Sequence, residues 1–152
     1  MLHFISLIIP IAVLLPNLFL MGRPPRNMPI EIENKEIPIL KVAEGMGRLG
    51  VFVLPIFSSI HQDKQLEVLS LIGMLIFLLL YYVGWVRYFK GDEEYRLLFS
   101  PMIGIPVPLA ITPILYFLCS SIVLHSYLLF ISSLILAIGH IPNSLILSKN
   151  QK

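Results

Sequence analysis

Only one cysteine occurs in the chain, Cys119 in an apolar run, so neither an internal disulfide nor a thiolate metal cage can form and a buried, inert thiol is expected. Charge is scarce as well. Charged residues make up 13% of the 152 residues and hydrophobic ones 57%, whereas soluble domains run at about 25% and about 45–50%. The deviation points to a bilayer as solvent. No stripe of Lys and Arg interleaved with aromatics is present to track phosphates, which excludes nucleic acid as a partner. Catalytic signatures are missing too: there is no serine nucleophile elbow, no H-E-x-x-H, no Walker loop and no Cys or His pair at metal spacing. No cofactor is therefore expected. No Lys or Arg precedes the first apolar run and no small-residue cleavage site follows it, so the amino end reads as a retained span rather than a signal peptide. Lipidation motifs and internal repeats are lacking.

What is present is a series of long apolar runs. A helix needs about 20 mostly apolar residues to cross the hydrocarbon core. Residues 2–21, 66–86, 99–124 and 126–147 meet this requirement. The stretch 42–60 is the difficult one, because Glu44 and Arg48 stand in its first turns. Short-loop Lys and Arg gather on the cytoplasmic side of membrane proteins, and this rule decides the matter. With five spans, one side receives Arg23, Arg26, Lys35, Lys41, Arg48, Arg87, Lys90, Arg96, Lys149 and Lys152, leaving Lys64 alone opposite. Without a crossing at 42–60 the division is six to five, which is no bias.

The expectation is an all-α integral membrane protein. It is a single polytopic domain over 1–152, a bundle of about five transmembrane helices with the amino terminus out, the carboxyl terminus in and cytoplasmic loops at 22–41 and 87–98. An odd number of spans argues against a two-fold inverted repeat. The charge bias fits a cell membrane such as a bacterial inner membrane.

Tyr81, Tyr82, Trp85, Tyr88 and Phe89 crowd the inner end of the third span, where an aromatic belt at headgroup level is expected. The loop 22–41 carries Pro24, Pro25, Pro29 and Pro38, which favour extended backbone. Its alternation of Ile30 and Ile32 with Glu31 and Glu33 suggests a strip along the interface. The charged loop 87–98 reads as a solvated face. Pro101, Pro106, Pro108 and Pro113 predict a kinked or unwound inner half for the fourth span, up to Ile114.

Three features resemble chemistry. Gly45-Met-Gly47-Arg48-Leu49-Gly50 fits G-x-G-x-x-G, but that pattern binds dinucleotides only after a strand and ahead of a helix in a βαβ unit. Close helix packing through small residues explains it better. Glu44 and Arg48 are four apart and can pair on one helix face, as an interfacial anchor or as a functional pair. Ser133, Ala137, His140 and Ser144 form one small and polar stripe facing the bundle, in which His140 is either a packing hydrogen bonder or a proton-handling group. His3, His61 and His125 fall at outer positions without metal-ligand spacing.

In the five-span topology Asn17, Glu44, Arg48, Tyr82, His140 and Asn143 share the cytoplasmic half of the membrane on four helices. They form a candidate polar pocket near the kinked fourth span. The leading functional expectation is a transporter-like, channel-like or accessory subunit, surrounded by membrane lipids and working as a homo-oligomer or with a membrane partner. The alternative is an intramembrane enzyme acting on a lipid or prenyl-type substrate at the cytoplasmic leaflet, with Glu44 or His140 as acid or base and Arg48 or Arg87 holding an anionic headgroup. A purely structural or immunity-type protein would need no pocket.

Overall fold

A computed structural model describes residues 3–28 and 37–149. The expected strip at Ile30 to Glu33, together with Lys35 and Lys152, lies outside the described residues. The described chain is helical, with five α-helices: α1 (Ile8–Gly22), α2 (Pro38–Val53), α3 (Gln65–Lys90), α4 (Pro108–Val123) and α5 (Tyr127–Lys149). Short 3-10 turns at Phe4–Leu7, Leu54–Phe57 and Tyr95–Leu98 extend or connect them. Among the described residues no strand forms. Three helical stretches, Phe4–Gly22, Gln65–Lys90 and Tyr127–Lys149, are long and apolar enough to cross a membrane. At 16 residues each, α2 and α4 are about 24 Å long.

Successive helices alternate in direction. At one end His3 N–H donates to Ile56 O at 2.8 Å and His61 N–H to Val123 O at 2.9 Å, joining the start of α1 to the end of α2 and the α2–α3 loop to the end of α4. At the opposite end Arg26 N–H donates to Glu93 O at 2.8 Å and Tyr95 N–H to Arg26 O at 3.0 Å. Ser148 Oγ donates to Phe99 O at 3.3 Å, which brings the end of α5 to the same place. Arg23, Arg26, Arg87, Lys90, Arg96 and Lys149 therefore share one end of the bundle, and Lys64 lies at the other.

Small residues set the closest contact, between α2 and α5. A Cβ added at Gly47 would overlap the Leu136 backbone, one at Gly50 the Ser132 side chain, and one at Gly139 the backbone of Glu44 and Leu40. Gly45 faces open space. Two of the three glycines in the G-x-G-x-x-G pattern are thus packing positions, as small residues in membrane bundles commonly are.

The fourth apolar stretch differs from expectation. Its helix begins at Pro108, not at Phe99, and runs through Pro113 without unwinding. Residues 99–107 instead hold a tight turn in which Met102 and Ile105 exchange backbone hydrogen bonds at 3.0 and 2.9 Å. The two central residues, Ile103 and Gly104, have φ of 52° and 78°. Pro101 and Pro106 bracket the turn and, lacking N–H donors, cannot extend a ladder or a helix there. Pro108 is tolerated at the helix start because that N–H would lack a partner in any case.

The aromatic cluster on α3 packs into the bundle in part. Tyr81, Trp85 and Tyr88 are buried, because spacings of four and three place them on one helical face. They form an interior ladder that joins α3 to α1. Pro16 removes the N–H that would bond the Ala12 carbonyl four residues earlier. The Tyr82 hydroxyl donates to that same Ala12 O at 2.8 Å. Tyr116 donates to Ile9 O at 3.2 Å and Tyr81 to Val13 O at 3.3 Å. The backbone of a proline-bearing helix is thereby satisfied by its neighbours, as membrane bundles allow.

Candidate functional site

Glu44 lies in the second turn of α2, and its side chain is 13% exposed. Arg48, one turn later on the same face, pairs with Glu44 Oε1. From α5, His140 Nδ1 stands 2.9 Å from the same oxygen and Asn143 Nδ2 donates to Oε2 at 3.5 Å. The approach at Gly139 places the two helices close enough for these side chains to meet. A buried carboxylate is tolerable only when it is paired and hydrogen-bonded, and Glu44 is both.

Beside this cluster is a cavity of about 380 Å³. Arg48, His140, Ser144 and Asn17 supply its polar wall, while Phe52, Tyr81, Trp85, Phe117 and Pro113 supply apolar surface. Its volume lies within the range of small-molecule sites, and its composition, mostly apolar with a few convergent polar groups, matches them too. His140 presents itself with Nδ1 engaged by Glu44 and no partner at Nε2 among the described residues. Asn143 Oδ1 is buried without a donor among the described residues.

The six candidate residues separate on inspection. Arg48, His140 and Asn143 each meet the Glu44 carboxylate, and Asn17 lines the adjoining cavity, where its Nδ2 donates to the Tyr81 hydroxyl at 3.0 Å. Tyr82 does not belong with them. One residue along a helix turns the side chain by about 100°, so Tyr81 faces the cavity and Tyr82 faces the α1 carbonyl it bonds and a separate groove. Arg87, weighed for a headgroup role, instead donates to the carbonyls of Ser100 and Pro101 at 3.4 and 2.9 Å. The loop 87–98 is more than a solvated face, since Glu93 is only 14% exposed and receives Arg23 at 3.4 Å and Arg26 at 4.0 Å.

A second polar cluster occupies the opposite end. Glu67 Oε2 accepts from the N–H groups of Asp63 and Lys64, and Oε1 lies 2.6 Å from His125 Nε2. His61 and His125 stack with centroids 4.2 Å apart and planes 6° from parallel. Through these two N–H groups the Glu67 carboxylate caps the start of α3; its pairing with His125 depends on the fold. Among the described residues no group of three His, Cys, Asp or Glu is placed to hold a metal ion.

No protein-family model, curated protein or solved structure matches this chain.

Proposed function

We propose that the chain is a multi-pass membrane protein crossing the bilayer five times, with its basic end in the cytoplasm. It works as a transporter-like or accessory subunit, in an oligomer or with a membrane partner, and takes an amphipathic anion into the cavity beside Arg48 and His140. One observation carries this reading: the Glu44-centred cluster holds an arginine and a histidine at the edge of a mostly apolar cavity of about 380 Å³. Arg48 keeps donors beyond those engaged by Glu44, because a guanidinium has five. A bound anion would meet Arg48 and, when protonated, His140, while an apolar tail would lie along Phe52 and Phe117. The gathering of cations at one end of the bundle supports the orientation.

The test is mass spectrometry of small molecules retained through purification in mild detergent. Native protein is expected to retain an acidic amphiphile that R48Q and H140Q lose while remaining folded. Retention of the same amphiphile by both variants would exclude the cavity as its site.

A second reading rests on a separate detail. A histidine held by a carboxylate at Nδ1, with no partner at Nε2 among the described residues, is oriented as general bases are. Under this enzymatic reading the bound amphiphile is a substrate. E44Q then preserves binding and removes turnover, a split that pure transport or scaffolding would not produce.

A further inference from the structure

Outside the cavity, the seam between α1 and α3 forms a groove of about 440 Å³. Pro16 and Phe19 of α1 and Tyr82, Trp85, Val86 and Phe89 of α3 supply its apolar lining, and Arg23 is the charged residue among its walls. The groove is built and not merely open. Its floor is the stacked pair Trp85 and Phe89, with centroids 5.7 Å apart and planes 27° from parallel. Its width is fixed where the Tyr82 hydroxyl clamps the α1 carbonyl freed by Pro16.

Charge accumulates at the Arg23 end. Backbone hydrogen bonds between Arg26 and the Glu93 to Tyr95 segment hold the two basic connections together. Among the described residues Arg23, Arg26, Arg87, Lys90, Arg96 and Lys149 stand there against Asp92, Glu93 and Glu94, six cations to three anions. Arg23 shares Glu93 with Arg26, so one carboxylate offsets two guanidinium groups. The Arg23 side chain remains 66% exposed.

We infer that this groove is a binding site for an anionic phospholipid, one acyl chain lying along Trp85 and Phe89 and the phosphate meeting Arg23. An apolar slot that ends in excess positive charge has the polarity of such a lipid, tail inward and anion at the basic end. Arginine suits the phosphate because its planar fork gives two parallel donors. A zwitterionic lipid fills the same slot but gains less from the charge excess. The inference is independent of what the inner cavity binds, although Trp85 borders both spaces.

Trp85 is the single tryptophan of the chain, so its fluorescence reports without labelling on this groove and on the inner cavity it also borders, and the variants separate the two. The protein is reconstituted in vesicles of phosphatidylcholine and phosphatidylglycerol in which one or the other carries brominated acyl chains, and quenching is compared. Brominated phosphatidylglycerol should occupy the site about fivefold more strongly than brominated phosphatidylcholine, the factor one basic side chain contributes near an anionic surface. R23Q should bring that ratio close to one, R23K should retain most of it, and R48Q should leave it unchanged. Equal quenching by the two lipids in the native protein, which needs no variant, would overturn the inference. So would a ratio that survives R23Q, or one lost in R48Q and kept in R23Q, which would move the lipid to the inner cavity. Protection from quenching by inorganic phosphate alone would likewise overturn it, since the groove would then hold a free anion.

Discussion

A glutamate whose side chain is 13% exposed and faces an arginine, a histidine and an asparagine is held by three donors at once. Removing it leaves those donors without their acceptor, so E44A should destabilise the protein by about 1.5–3 kcal/mol, the range for hydrogen bonds to charged groups. H140A should cost less, because Arg48 and Asn143 still satisfy the carboxylate. Denaturant titration in detergent checks both, and an E44A stability equal to native would show the cluster to be energetically idle. At this scale the sequence is informative about residue type but not about direction. Glu44, Arg48, His140 and Asn143 were recognisable as costly polar intrusions. Tyr82 was drawn in with them because depth alone cannot separate adjacent helical positions, whereas the helical angle between Tyr81 and Tyr82 does.

Among the elements, α1 depends on its neighbours most visibly. If the Tyr82 hydroxyl compensates for Pro16, Y82F should cost about 1 kcal/mol in the native background. It should cost little alongside P16A, where the new N–H at position 16 can reach Ala12 O. A double-mutant cycle by thermal denaturation measures the coupling, and strict additivity would refute the compensation. The α2–α5 contact gives a sharper contrast. G139A forces a methyl group into the Glu44 and Leu40 backbone and should destabilise by about 1–3 kcal/mol. G45A meets nothing within reach and should be neutral or stabilising by up to about 1 kcal/mol. The G-x-G-x-x-G run was readable as a packing motif, but which glycine faces inward was not, since all three share one pattern of letters. In the turn at 102–105, Ile103 holds a left-handed conformation that β-branched residues resist. I103N should therefore raise stability by about 1 kcal/mol, an effect measurable as a higher midpoint in thermal denaturation. The prolines of 99–107 foretold irregular backbone. They could not foretell that helix would resume at Pro108, because that depends on Pro108 standing at a helix start, where its missing donor costs nothing.

For the molecule as a whole, composition and apolar run length sufficed for a helical bundle, and the run at 42–60 was placed only by counting cations. That count has a physical counterpart in the alternating helices, where backbone bonds gather the described basic loops at one end and set Lys64 at the other. The pairing of Glu67 with His125 and the burial of Tyr88 escaped a linear reading, since each requires residues far apart in sequence to meet. The central claim is that α2 carries the chain across the bilayer, so that Lys64 and Glu93 face opposite compartments. In a variant with Cys119 replaced by Ser, single cysteines at Lys64 and at Glu93 can be probed in intact cells with a membrane-impermeant maleimide. Labelling at Lys64 from outside, with Glu93 labelled only after permeabilisation, is the expected result. Labelling of both positions from the same side would contradict the five-span topology and, with it, the shared depth of the Glu44 cluster and its cavity.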